Sequence, residues 1–396
     1  MYKPLSTRYD ILALIKKVSV PIFLLLYIGF YYSDYLAYIK VGYLFLGIGG
    51  LSAIVYNRQI LHLDIFAIML LFLLYSFISI VWSKSQTVAT SSVILLGKSI
   101  FIAFLFSQMI KTFDDFRWAM FWLFISGLIY SLLYLKQVPL AMLGDGRISE
   151  VMDDPLMPNV NIVAMLASFS FVYFICNYII EGKRFNALLG IIAAVVVVFL
   201  GSRKSIIVIV LSSILLILKL NFKSKLKIGV LILLVVLFVL MIVPSDYLWF
   251  ITERFEQFGM SSEFMDQADQ ERVSLFHSGI DYILQSPLVG HGFYNFSIVN
   301  GQATGAYIYS HNNFIETLVG GGLFAFIIYY SLYVKMFKNI YNSMHQLNYA
   351  FIIMILILIL LFNQIAIVVL LDKYVWLLMT LLLIGSSFYK KNKSLL

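Results

Sequence analysis

The chain has 396 residues, of which 62% are hydrophobic and only 12% charged, about half the ~25% charged fraction of soluble domains. A mean hydropathy of +0.94 leaves no polar surface large enough to keep the molecule in water. That excludes a soluble enzyme, a disordered chain and a nucleic-acid-binding domain, despite a formal net charge of +8.

The expected fold is all-α: a polytopic membrane bundle forming a single integral membrane domain over residues 1–396. A spanning helix takes roughly 20 apolar residues. About twelve spans fit, near 17–33, 37–56, 64–82, 90–110, 117–135, 158–180, 185–201, 204–220, 226–244, 312–336, 348–371 and 374–389. Lys3, Arg8, Lys16 and Lys17 precede the first apolar run as in a signal sequence, but no A-x-A-like site follows it. The first segment therefore reads as an uncleaved anchor. The single cysteine, Cys176, lies within an apolar run and permits no internal disulfide. The junction Gly201-Ser202-Arg203-Lys204 is too short for a loop and predicts a tight hairpin turn or a re-entrant bend.

Two connections are long, 136–157 and 245–311. Within the second, Val273, Phe276, Ile280, Ile283 and Leu284 recur at helical spacing between Asp269 and Gln285, ahead of Pro287. This predicts an amphipathic helix lying at the outer membrane surface and packed on the bundle. With the N-terminus inside, the inner segments hold twice as many Lys and Arg as the outer ones. That bias predicts both termini in the cytoplasm and both long loops outside.

Against that trend, Arg203, Lys204, Arg254 and Arg272 gather in outer segments. Guanidinium groups grip phosphate oxygens through paired, charge-assisted hydrogen bonds, so an outward cationic pocket suits a lipid-linked phosphate or diphosphate. The plainer reading is snorkelling to headgroups, or pairing with Glu253, Glu263 or Glu271. A second cluster is Ser310-His311-Asn312-Asn313-Phe314-Ile315-Glu316, which leads into Gly320-Gly321-Gly322. An imidazole with an ordinary pKa of ~6.5 takes a proton at neutral pH. Asn312 and Glu316 lie four apart on one helix face, and the glycines predict close approach of another helix. The plainer reading of His311 is a cap and interfacial anchor. Gly97-Lys98-Ser99 mimics the end of a P-loop but lacks its first glycine, and no Cys/His spacing suits zinc.

The layout resembles the bacterial O-antigen polymerase and ligase superfamily. The shared features are Gly201-Ser202-Arg203 at an outer helix junction and a large late outer loop. That loop carries Arg272, then Ser286-Pro287-Leu288-Val289-Gly290-His291-Gly292, then His311-Asn312 with Gly322 after nine residues. The last glycine of the family's H-N-x9-G-x-x-G pattern is Ala325 here, a change expected to alter close packing only slightly. The resemblance covers residues 185–335 by motif and the rest by topology.

It implies a C-type membrane glycosyltransferase that needs neither metal nor cofactor and resides in the bacterial cytoplasmic membrane. The donor would be a polyprenyl-diphosphate-linked oligosaccharide and the acceptor a glycan hydroxyl. Other polysaccharide export and chain-length proteins would be partners. By residue matching, Arg203 and Arg272 would hold the diphosphate and His311 would act as general base. Lys204, Arg254, Asn312 and Glu316 would complete the substrate site. A polymerase, extending one lipid-linked unit with another, is the favoured reading, and a ligase the alternative. A polyprenyl-sugar flippase or anion transporter is the alternative from another class. It fits less well, since no repeat symmetry is visible and deep polar residues are few, chiefly Lys98, Asn363 and Gln364.

Overall fold

The computed structural model describes residues 7–29, 36–137, 159–220, 229, 267–343 and 348–391. The expected span 226–244, nearly all of the 136–157 connection, and the first part of the 245–311 loop with Arg254 lie outside the described residues. The helices are α1 (Thr7–Leu24, continued by a π-turn Leu25–Gly29), α2 (Leu36–Asn57), α3 (Leu63–Ile78, continued by a 3₁₀ turn Ser79–Trp82), α4 (Gln86–Gln108) and α5 (Phe113–Gln137). They continue with α6 (Val160–Glu181), α7 (Arg184–Phe199), α8 (Arg203–Lys219), α9 (Gln267–Gln285), α10 (Phe296–Thr304), α11 (Asn313–Ile340), α12 (Tyr349–Gln364) and α13 (Lys373–Lys391).

Six segments are long and apolar enough to cross a membrane: Tyr38–Asn57, Leu63–Trp82, Gln86–Gln108, Phe113–Gln137, Val160–Glu181 and Asn313–Ile340. The α7 and α12 helices are shorter apolar helices. The chain is thus a multi-pass membrane protein with about six candidate spans among the described residues; twelve are not shown. Two of the expected spans are short. Runs read as continuous spans over 185–201 and 348–371 give helices of 16 residues each, about 24 Å of rise against a hydrocarbon core of about 30 Å. The first is stopped by the turn at Gly201, whose φ is +62°. The second stops at Gln364 because the backbone beyond it turns to bond elsewhere: Val369 N donates to Asn313 Oδ1 and Trp376 Nε1 to Leu370 O.

The α6 helix is buried on every side from Val163 to Asn177, as befits a sequence that is apolar all round. It packs against α5, α7, α8 and α12. The α13 helix is the second central element, with Trp376, Leu377, Leu378 and Met379 fully enclosed between α11, α4 and α5. Asparagines set three helix starts: Asn159, Asn312 and Asn348 accept from backbone N–H groups of α6, α11 and α12. Lys98, counted among the deep polar residues from the sequence, is exposed on the outside of α4.

The α9 helix forms over the range expected of the amphipathic segment. It packs through Leu275, Gly279 and Tyr282, which join Phe296, Val299, Ile315 and Val319 in a small separate core. Of the stripe read from the sequence only Ile283 joins that contact, while Val273, Phe276, Ile280 and Leu284 are exposed. The helix has two apolar sides, and Gly279 permits the closer approach: a Cβ there would collide with the Ile315 side chain.

Candidate active site

Three helix starts converge at one end of the bundle. Ser202, the residue before α8, donates from its hydroxyl to Asn161 Oδ1 in the first turn of α6 (3.3 Å). Asn159, which caps α6, hydrogen-bonds the Tyr309 phenol. His311 stands two residues ahead of α11. The positive ends of three helix dipoles therefore face the same region, an arrangement that favours anions.

His311 is held by its neighbours. Asn312 Oδ1 accepts from Phe314 N (2.9 Å) and Ile315 N (3.1 Å). Ser310 Oγ lies 2.8 Å from the Asn312 carbonyl and 2.9 Å from Glu316 Oε2, which also accepts from Ser310 N (3.3 Å). These ties place His311 in the left-handed backbone region, with φ +53°, a conformation that a non-glycine residue rarely adopts without support. Its ring lies on Tyr309, with centroids 4.0 Å apart and planes inclined by 37°. Asn312 is thus the helix cap, and Glu316 is a buried tie to Ser310, 1% exposed. Both therefore carry ties within the protein, Asn312 to the start of α11 and Glu316 to Ser310.

The electrostatics of the imidazole define the site. Burial first, then the charges of Arg272 and Lys204, push the His311 pKa down to about 4. The ring is neutral at physiological pH and sits in a positive field. Arg272 reaches this cluster from the first turns of α9 and also acts on Tyr309, whose phenol is raised chiefly by burial. Burial likewise pushes the Tyr294 phenol well up, with Glu316 and Tyr309 adding to it. Lys204 donates from Nζ to the Ala366 carbonyl (2.7 Å), so its ammonium is fixed between α8 and the turn after α12. Arg203, half-buried, opens α8 beside it. The structure therefore brings together Arg272, Lys204 and His311. Tyr309, Tyr294 and Asn159 belong to the same cluster but carry no signal in a sequence with 34 Phe and 26 Tyr.

Beneath His311 the helix is broken. Gly322 in α11 has φ +64° and ψ −165°. What enters the gap is the Ser286–Gly292 stretch, where another helix was expected from the glycines. Pro287 O accepts from Leu323 N (2.9 Å), Leu288 O from Phe324 N (3.3 Å), and His291 N donates to Val319 O (2.8 Å). A Cβ on Gly290 would lie 2.6 Å from Gly320 O, so only glycine admits this contact. Tyr75 donates to Gly321 O (2.8 Å), and the α3–α4 turn clamps the other side of the stretch through Lys84 N to His291 O and Phe293 N to Ser79 Oγ. Leu323 N, Phe324 N, Val319 O and Gly321 O thus find partners outside the helix at the break, which is how non-helical backbone is tolerated at membrane depth. Ala325 is buried against Gly321, so the methyl that departs from the family pattern is accommodated.

Among the described residues no group of three or more His, Cys, Asp or Glu is arranged to hold a metal ion. Comparison with curated proteins finds no match. Residues 188–330 match the model of the family described as O-antigen ligase, a segment that contains Arg203, Lys204, Arg272, the Gly322 break and His311. Such a domain implies a glycosyltransferase-type enzyme of polysaccharide assembly acting on lipid-linked glycans. Over residues 188–330, this membrane chain carries a domain of the O-antigen ligase and polymerase family.

Proposed function

We propose that the protein transfers a glycan from a polyprenyl diphosphate to a hydroxyl of an acceptor sugar, with the His311 end of the bundle facing outward and both termini in the cytoplasm. The observation that carries this reading is a neutral imidazole held in the field of Arg272 and Lys204. Diphosphate is a good leaving group once its growing charge is met, and Arg272, Arg203 and Lys204 supply that charge in a preorganised setting. The acceptor hydroxyl attacks the anomeric carbon, the bond to the diphosphate oxygen breaks, and the hydroxyl proton passes to His311.

The two cations also set when the base works. An imidazole held at about 4 is a weak base, and bound diphosphate offsets the two charges that depress it. Donor binding therefore raises the proton affinity of His311, coupling base strength to the presence of substrate.

The acceptor on this reading is a second lipid-linked repeat unit, which makes the enzyme a polymerase. The description of the matched family favours the second reading, a ligase that moves a finished chain to another acceptor. Purified protein incubated with a lipid-linked oligosaccharide alone tests the assignment. A ladder of longer lipid-linked products, abolished by His311→Ala, is the expected result. Turnover only after lipid A core or protein acceptor is added would identify the ligase, and no turnover with either acceptor would sink the transferase reading.

A further inference from the structure

The other end of the bundle contains a cavity of about 350 Å³ between α5, α6, α7 and the start of α12, within the range of small-molecule sites. Its polar lining is arranged in two parts. Arg117 and Lys183 share the carboxylate of Glu181; Lys183 Nζ is 2.8 Å from Oε2, and an Arg117 guanidinium nitrogen bonds Oε1. Tyr349 fixes both partners: its hydroxyl donates to Glu181 (2.7 Å), accepts from Arg117 Nε (3.0 Å), and its ring lies 5.0 Å below the guanidinium. Arg117 and Lys183 thus share one carboxylate, and the Lys183 side chain is 66% exposed.

The second part is electron-rich. Asn177 lines the cavity, is 2% exposed, and its Oδ1 has no hydrogen-bond partner among the described residues. A buried acceptor left unmet is costly, so the site asks for a donor. Asp114, from the first turn of α5, also lines the cavity and makes no ion pair among the described residues. The rim then continues into apolar surface: Trp118 and Phe185 line the cavity and are exposed, and Leu188, one turn along α7, is exposed too. An interfacial aromatic rim of this kind sits at headgroup depth.

We propose that this cavity binds the headgroup of an amine-bearing phospholipid of the phosphoethanolamine class. The phosphate lies toward Lys183 and Arg117, the ammonium toward Asn177 Oδ1 and Asp114, and the acyl chains run along Trp118, Phe185 and Leu188. Basic pockets between membrane helices take anionic headgroups in general; the unmet acceptor and the carboxylate are what select the amine. The site shares no residue with the His311 cluster and does not depend on its function.

The test is the melting temperature of full-length protein in delipidated detergent micelles. The titrants are phosphatidylethanolamine, phosphatidylglycerol and soluble glycerophosphoethanolamine. Phosphatidylethanolamine should stabilise the wild type at lower concentration than phosphatidylglycerol does. Asn177→Leu should erase that preference, and Lys183→Gln should weaken both lipids about tenfold, the worth of one charge-assisted hydrogen bond. Equal response to the two lipids, or an undiminished preference in Asn177→Leu, overturns the proposal. A soluble ester as effective as the lipid overturns the lipid assignment. Should Asn177→Leu fail to fold, Lys183→Gln still decides, since that side chain is largely exposed, and unchanged lipid response in it is also contrary.

Discussion

The two ends of the bundle handle positive charge in opposite ways. At the Arg117 end the cations are drawn onto shared acceptors, Glu181 and Tyr349, and the ring of Tyr349 closes over the guanidinium. At the His311 end, burial first and then the charges of Arg272 and Lys204 push the imidazole pKa down to about 4. The first arrangement ties the cations to protein acceptors, in keeping with the cost of buried charge. In the second the cations also act on a candidate base, so the contrast separates an end whose cations are held on a shared carboxylate from an end that, on the proposed reading, receives the donor.

The largest expected effect tests the receiving end directly. His311→Ala and His311→Asn should insert in the membrane and bind donor normally while turnover falls by roughly 10²–10⁴-fold, the usual contribution of a base. Normal glycan chain length in cells carrying His311→Asn would remove the imidazole from the mechanism.

Next in size, Arg272→Ala should raise the donor KM by roughly 10–100-fold through loss of charge-assisted hydrogen bonds. Arg203→Lys should keep partial binding and lose activity, since an ammonium cannot reproduce the planar fork. Unaltered donor affinity and turnover in both would leave the positive field without a ligand.

A smaller effect appears in the pH profile. Because the folded pKa of His311 lies below its ordinary value, the working neutral form persists as pH falls and is lost only near pH 4. The acid limb of kcat/KM should therefore lie near pH 4. In Lys204→Gln it should move upward, as should the acid limb of wild-type kcat, where bound diphosphate offsets the cations. A limb that stays put in Lys204→Gln would show that the Lys204 charge does not act on His311.

The smallest effect belongs to the Arg117 end. Lys335 pairs with Asp64 at 2.8 Å, with Asp64 71% exposed. Lys335→Gln should cost less than about 1 kcal/mol and leave turnover at the wild-type rate. A substantial loss of activity would mean that the two ends are coupled.

The sequence makes the membrane class and the positions of most described helices legible, because each depends on local composition, and it marks Arg272 and His311 as candidates in two clusters that only the family resemblance joins. Side-chain direction was not legible. Asn312 and Glu316 lie four apart, a spacing that serves a cap with a buried tie as well as a shared open face. For α9, periodicity marks a true helix but cannot rank two apolar sides, and the glycine that decides between them contributes nothing to an apolar stripe. The Gly320–Gly322 run announces a close approach without naming the partner, which comes from the loop before it in sequence. Tyr309 is hidden by abundance: one ring among so many aromatic side chains carries no mark of its place under His311.

The break at Gly322 has a consequence for biosynthesis. A continuous helix satisfies its own backbone and enters the bilayer as a finished unit, whereas α11 is incomplete until Pro287 and Leu288 offer their carbonyls to Leu323 and Phe324. The stretch that supplies them must first be seated against the α3–α4 turn, made much earlier on the ribosome. Insertion and completion of α11 are therefore separate events. The segment carrying His311 reaches its final form only after three distant parts of the nascent chain have met, so a truncated product lacking the early helices would cross the membrane yet hold no assembled site.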